Sequence, residues 1–552
     1  MINRKILSKW TTFPAWVALG VFVVSAQEPF SKITAHDGKL YAGGEELLLV
    51  SVGYTHDRPG QDYSDPLSYK DFGYDLVDLD LQRIHEAGFN AIRTWSLIDE
   101  QLLTLAQKHH LWVVGGIRTE RNINPDNENA VNEALATVAA AARVYARHPN
   151  TAMLLLLNEP ELKPLAGVKP NKLRNYLDRL AAAARENYPG IPVGISNWPN
   201  AGFIDSDSWD VIAYNVYANS TVKFQKAMGY RGYLDAVRRR KAAGKPFFVS
   251  EFGFYSPVPR LNPNDTFKYH FVPSEEKQAA LLVDDMEALY QSAVAGGALM
   301  QWKDNWWMSQ ELFSPALARK ERQEGYVNKD VHDLECIEWS GLLSMDKDPR
   351  GVPRPAFYAV QRANQAIMTE PDSETIYRGK FPISVHLTDA VEQVELIVDG
   401  KNLGRLARTT PEWFRSEIAE SEKELKRHDI LLRAFDKEGK LLREVRRYAW
   451  TAEKNSLPAL NITWRKDEAN RILFLFHLSD EDGRPVKDAR INWGALDSII
   501  WTEDEGSVKT QKDGTAILKR PMPSNFMVLC AGYEYQRKDF KRVISDIYFF
   551  KQ

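Results

Sequence analysis

Two stretches decide how this chain reads: Met153-Leu-Leu-Leu-Leu157-Asn158-Glu159-Pro160 and Lys245-Pro-Phe-Phe-Val-Ser250-Glu251-Phe-Gly253. Each is a short apolar run with no polar face, as expected of a parallel strand covered on both sides. Each ends in a glutamate. Working outward, the same kind of run recurs at 47–53, 91–95, 111–117, 191–196, 211–217 and 298–302, which makes eight with 152–157 and 247–250. Amphipathic stretches separate most of them. In 172–187, Leu173, Leu177, Leu180 and Ala184 share one helical face, with Pro170 before it and Pro189-Gly190 after it. Another helix is expected over 129–147. Eight strands alternating with helices predict a (β/α)8 barrel over 28–370. A doubly wound sheet is the rival, but the chain carries neither a G-x-G-x-x-G nor a P-loop motif.

Beyond a last helix expected over 354–368, the text changes. The stretch 369–380 is polar and contains Pro371, which suits a linker. After it come alternating apolar residues and the turn pairs Asp399-Gly400, Glu438-Gly439, Asp482-Gly483 and Asp513-Gly514. They predict two small β-sandwiches, 377–451 and 457–552, semi-independent of the barrel. At the other end, Arg4, Lys5 and Lys9 precede an apolar segment at 13–24 and the small residues Ser25-Ala26. This is the order of an export signal cleaved after residue 26, and it predicts a periplasmic or secreted protein without stable membrane insertion after cleavage. The apolar run is short for a membrane span.

Composition narrows the function classes. The formal net charge is −3, so nothing advertises a nucleic-acid partner. The two cysteines, Cys336 and Cys530, are too few for a disulfide framework or a cysteine-rich zinc site. His109-His110 reads as charge at a helix end, and the Arg238–Lys241 run as a solvated helix face. No H-E-x-x-H or G-x-S-x-G motif occurs. The expectation is chemistry without a metal or cofactor.

In a barrel of this kind the active site forms at the C-terminal strand ends, where Glu159 and Glu251 fall. One glutamate after a strand also serves as a helix cap or an ion-pair partner. Two at corresponding ends match retaining glycoside hydrolysis, in which one carboxylate attacks the anomeric carbon while a carboxylic acid protonates the leaving oxygen.

These motifs resemble the acid/base and nucleophile strands of clan A glycoside hydrolases, and the stretch 40–365 resembles the catalytic barrels of the β-glucuronidase/β-galactosidase family. The resemblance implies Glu159 as general acid/base and Glu251 as nucleophile. It implies that Asn158 contacts the sugar 2-hydroxyl and that Arg93, ending the second strand, supports the nucleophile. Asn215 and Tyr217 match an Asn and a Tyr two residues apart on strand six, the Tyr donating to the nucleophile. Trp302 matches a Trp that commonly ends strand eight. The chain departs from that family in domain order, because its sandwiches follow the barrel instead of preceding it. The segments at Asp65-Pro66 and Gly88–Arg93 also resemble β-1,3-glucanosyltransferases of the same clan, and the third domain resembles carboxypeptidase-regulatory-like or bacterial Ig-like modules.

Trp95, Trp198, Trp306, Trp307 and Tyr54 lie in or beside loops after strands and are candidates for stacking on sugar rings, with core packing the alternative. His56 and Asp57 follow the first strand. The segment 303–353 is expected to fold over the barrel mouth. The function expected is retaining hydrolysis of a β-linked oligo- or polysaccharide. The alternatives are transglycosylation by the same two steps, or a non-catalytic carbohydrate-binding barrel.

Overall fold

The computed structural model describes residues 30–56, 58, 74–119, 124–165, 168–198, 201–202, 204, 207–218, 227–257, 271–304, 339–345, 348–419, 424–454, 456–497, 502–523 and 526–551. The export signal, Asp57, Asp65-Pro66, Trp306, Trp307, Cys336 and most of the segment expected over the mouth lie outside the described residues.

A three-stranded antiparallel sheet comes first: β1 (Ile33–His36), β2 (Lys39–Ala42) and β3 (Glu45–Leu47). Its apolar side chains Ile33, Leu40 and Leu47 pack with Trp112, Ala152, Met153 and Phe248 from the barrel. The sheet therefore closes the barrel at its strand-starting end, and Phe30 meets Trp112 edge to face at 4.7 Å.

The barrel strands are β4 (Leu49–Gly53), β5 (Ala91–Arg93), β6 (Trp112–Gly116), β7 (Thr151–Asn158), β8 (Val193–Asn197), β9 (Ile212–Asn215), β10 (Phe247–Phe252) and β11 (Gly296–Leu299). All pair in parallel, and β11 returns to β4, so the sheet closes. Each of the eight runs read from the sequence supplies one strand. Outside them lie α1 (Tyr74–Glu86), α2 (Glu100–Lys108), α3 (Glu128–Tyr145), α4 (Leu162–Leu165), α5 (Pro170–Asn187), α6 (Gly229–Val237), α7 (Glu275–Tyr290) and α8 (Pro355–Asn364). Local chemistry sets their starts. Asn127 accepts from the Asn129 and Ala130 N–H groups to begin α3, and Pro170 occupies the first turn of α5.

Two sandwiches follow. In the first, a three-stranded sheet (Ala366–Glu370, Lys380–Leu387, Trp413–Ala419) faces a five-stranded one over Phe381, Ile383, Val385, Leu396 and Leu432. In the second, a three-stranded and a four-stranded sheet enclose Ile462, Phe474, Phe476, Ile491 and Leu529.

The expected linker is not a linker. Ala366–Glu370 is a sandwich strand paired antiparallel with Lys380–Leu387, so the last helix ends at Asn364 and the sandwich begins at once. Ala366, Ile367 and Met368 are buried, and their apolar character, read as the end of a helix, belongs to a strand.

The sandwiches are also not semi-independent. The Trp413 indole N–H donates to the Glu46 carbonyl at 2.9 Å, and Arg415 pairs with the Glu46 carboxylate at 2.7 Å. Val528, Cys530 and Ile547 of the second sandwich belong to the same apolar cluster as Tyr233 and Met228 of the barrel.

The Arg238–Lys241 run keeps Arg239 and Arg240 exposed, as its reading as a solvated face expects, and also makes contacts that reading did not include. It forms a π-helical turn, Arg238–Ala242, against the second sandwich. Arg240 Nε donates to Asp546 Oδ1 at 2.8 Å, Arg239 donates to the Ser545 carbonyl at 2.6 Å, and Lys241 lies over the Phe549 ring at 4.5 Å. Among the described residues no helix is long and apolar enough to cross a membrane.

Candidate active site

Both glutamates sit where strand geometry breaks. Pairing of β7 with β8 slips between Leu155 and Asn158, and pairing of β10 with β9 slips between Val249 and Glu251. Such irregularities turn a side chain away from the alternation a regular strand would impose. Glu159 adopts φ 49, a left-handed conformation uncommon outside glycine. Its backbone N–H donates to the Ser196 carbonyl at 2.7 Å, which ties that conformation to β8. A non-glycine residue held there points to a site where side-chain direction matters more than local backbone energy.

Glu251 is 5% exposed and is met by three donors. Arg93 Nη1 and Trp95 Nε1 both donate to Oε1, at 2.8 and 2.7 Å, and the Tyr217 hydroxyl donates to Oε2. Among the described residues, three donors from three different side chains thus converge on one buried carboxylate. Burial, then the charges of Glu251 and Glu159, push the Tyr217 phenol well above its ordinary value, so it remains a hydrogen-bond donor. Arg93 is itself 1% exposed. Burial lowers its pKa, and the adjacent Glu251 opposes the shift.

The other half of the guanidinium reaches across the mouth. Arg93 Nη2 donates to Asn158 Oδ1 at 2.6 Å, and a weaker contact runs to Ser196 Oγ at 3.4 Å. One side chain therefore bridges Glu251 to the residue directly before Glu159. Asn215 completes the link by donating its side-chain amide to Glu159 Oε1 at 2.6 Å. Its carbonyl oxygen accepts from the hydroxyls of Ser196 and Ser250, each at 2.7 Å, and this fixes which way the amide faces.

The structure thus brings Glu159, Glu251, Asn158, Arg93, Asn215, Tyr217 and Trp95 into one hydrogen-bonded constellation. Ser196 and Ser250 belong to it and were not singled out from the sequence. The available signal was position, since each lies at the end of its strand and Ser250 directly precedes Glu251.

Two candidates have other roles. Trp302 is fully buried against Phe357 of α8 at 5.8 Å, and its indole nitrogen has no hydrogen-bond partner among the described residues. It is a core residue in this structure, with no face open to a sugar. Tyr54 is 2% exposed and donates its hydroxyl to Asp80 of α1 at 3.0 Å, outward from the barrel interior. Trp95, offered as a stacking surface, is half-buried and presents its N–H to Glu251. Trp198 is half-buried against the barrel's apolar core. The His56 carbonyl accepts from Arg58 at 3.1 Å, and His109 Nε2 meets Asp78 at 2.6 Å. Among the described residues no group of three or more His, Cys, Asp or Glu side chains is placed to hold a metal ion.

No protein-family model matches the chain, and no curated protein matches it. Solved structures do. A β-glucuronidase from Parabacteroides merdae aligns with 94% of this chain and 64% of its own, at 16% identity and a TM-score of 0.45. β-Glucuronidase 2 from Bacteroides uniformis, solved covalently bound to cyclophellitol-6-carboxylate aziridine, aligns over 94% and 65% at 14% identity and 0.44. A putative β-galactosidase from Bacteroides fragilis aligns over 77% and 58% at 12% identity and 0.45. The chain spans slightly under two thirds of the length of these proteins. The closed eight-stranded barrel visible in the structure establishes the fold directly.

Proposed function

We propose that this protein is a retaining β-glycoside hydrolase acting on a β-linked oligo- or polysaccharide through a covalent glycosyl-enzyme, with Glu251 as nucleophile and Glu159 as general acid/base. The observation that carries the reading is the burial of Glu251 among three donors at the same barrel mouth that holds Glu159. Glu251 is buried among Arg93, Trp95 and Tyr217, which suits an anion. Glu159 is half-buried with Asn215 on one oxygen.

In the first step Glu251 forms a bond to the anomeric carbon as the glycosidic C–O bond breaks, and Glu159 gives its proton to the departing oxygen. In the second, water attacks the same carbon, Glu159 takes a proton from it, and the Glu251 ester bond breaks. A common guanidinium joining Glu251 to Asn158 supports a close pair of carboxyl groups, as retention requires. A sugar hydroxyl replacing water in the second step would give transglycosylation from the same residues.

The test is a screen of aryl β-glycosides and β-glucan oligosaccharides, with product size and anomer followed by proton NMR. A β-configured first product supports the reading; an α-configured first product, or no turnover of any β-glycoside, overturns it. Products longer than the substrate would assign transglycosylation. The proposal includes export, on the basic, apolar and small-residue order of the first 26 residues. N-terminal sequencing of exported protein should find Gln27 first, and a chain still beginning at Met1 would refute cleavage.

A further inference from the structure

The two oxygens of Glu251 are held differently. Oε1 accepts from Arg93 at 2.8 Å and from Trp95 at 2.7 Å, whereas Oε2 accepts from the Tyr217 hydroxyl. Trp95 is fixed for this contact from two sides. The Arg93 guanidinium lies 4.1 Å from its ring centroid. Glycines on the two strands flanking β5 clear space, one for its ring and one for the backbone that carries it. A Cβ on Gly53 would stand 2.5 Å from the far edge of the indole, and one on Gly116 would stand 2.6 Å from the Trp95 carbonyl carbon. Behind the carboxylate, Tyr217, Phe254 and Met300 form a small apolar cluster against which Trp95 also packs. The indole N–H is therefore presented to one oxygen of one carboxylate.

We propose that Trp95 is a positioning residue that anchors Glu251 Oε1 and leaves Oε2 as the oxygen that attacks the anomeric carbon. The inference rests on the reading of Glu251 as nucleophile. An oxygen already accepting two strong hydrogen bonds has little electron density to donate, and it is held in place by both donors. Among the described residues Oε2 has a single donor, a phenol, which can leave it as the bond to carbon forms. When the Oε2–carbon bond forms and the leaving-group bond breaks, Oε1 becomes the ester carbonyl oxygen. Arg93 and Trp95 remain on it. When water later displaces Oε2 and gives a proton to Glu159, the electron pair returns to the carboxylate, where the same two donors stabilise it.

The test compares wild type with Trp95→Phe, which keeps an aromatic ring beneath Arg93 and removes the N–H. The expected result is a kcat lower by about 10- to 100-fold with KM changed far less. Labelling of Glu251 by an activated 2-deoxy-2-fluoro-β-glycoside should slow in the same proportion. A folded Trp95→Phe enzyme with wild-type kcat and a wild-type labelling rate overturns the inference. A second measurement needs only wild type: in a crystal structure of the trapped fluoroglycosyl-enzyme, the ester should run through Oε2, with Oε1 still on Trp95. An ester through Oε1 overturns the inference even if the variant does not fold. A wild type that neither turns over nor labels on any β-glycoside removes the glycosidase reading and this inference together. An active, labelled wild type beside an insensitive variant removes this inference alone.

Discussion

The Asn215 side-chain amide donates to Glu159 Oε1 at 2.6 Å, and the Asn215 carbonyl is held by the hydroxyls of Ser196 and Ser250. Three barrel strands thus cooperate to aim one N–H at one carboxyl group. Replacing Asn215 with alanine removes that donor and takes the shared acceptor from two buried hydroxyls, which are left to each other at 2.8 Å. The expected outcome is a loss in kcat/KM of about 10- to 1000-fold, larger for substrates with poor leaving groups. Steady-state rates on a series of aryl β-glycosides check it. Equal losses across the series would detach Asn215 from proton delivery.

A second expectation concerns pH and stability. Asp285 of α7 is 6% exposed and accepts from the Tyr255 hydroxyl at 2.7 Å. Burial, with the charge of Asp284 adding to it, raises its pKa to about 7 despite that hydrogen bond. A carboxyl whose pKa is raised by folding binds its proton more tightly in the native state. Its contribution to stability is therefore full below the ordinary carboxylate range and is lost as pH rises through about 7. Between those limits the loss is about 1.4 kcal/mol per pH unit at most. Asp285→Asn should flatten the decline in urea-unfolding stability between about pH 4 and 7. An Asp285→Asn profile parallel to wild type would show that Asp285 does not cause the decline.

The attachment of the second sandwich gives a third. Asp546 is 4% exposed, pairs with Arg240 and accepts the Ile462 backbone N–H at 2.8 Å. Asp546→Ala should cost about 2–4 kcal/mol, since it leaves a backbone donor and a guanidinium unsatisfied at an interface. Chemical denaturation measures it. For the same reason a chain ending near Asp372 should not fold soluble and active, because it uncovers barrel surface packed on Val528, Cys530 and Ile547. An active truncation would show that the barrel needs neither sandwich.

The barrel was legible because parallel strands buried on both faces write themselves as short apolar runs, and each of the eight is a strand. The two glutamates were legible because their strands end on them. The partnership of Trp95 with Glu251 was not, since it depends on two glycines distant in sequence, Gly53, which leaves room for the ring, and Gly116, which leaves room for the Thr94-Trp95 backbone. Ala366–Glu370 was misread because five residues cannot display a helical or strand period clearly, and an apolar run following a helix looks like its continuation. The solvated face at Arg238–Lys241 was legible from its charge, but its pairing with Asp546 was not, because charge alone does not name a partner distant in sequence. Tyr54 and Trp302 lie at strand ends, as sugar-binding aromatics would, but side-chain direction sends one to Asp80 and the other to Phe357.

The last expectation separates the two glutamates by role. Glu251→Ala removes the group that would form the ester, so activity should fall on every substrate. Glu159→Ala removes the proton donor. Substrates whose leaving groups depart without protonation should retain more activity, while alkyl and sugar leaving groups should lose most of theirs. Azide should then report which face is open. In Glu159→Ala the glycosyl-enzyme still forms, and azide entering from the vacated acid/base side should displace Glu251 to give a β-glycosyl azide. In Glu251→Ala the vacancy lies on the opposite face, so direct displacement of an activated β-linked leaving group should give an α-glycosyl azide. Proton NMR distinguishes the two anomers by the coupling of the anomeric proton. Products of swapped configuration would reverse the two roles. Full activity in both variants would mean that this pair of carboxyl groups does not carry the reaction.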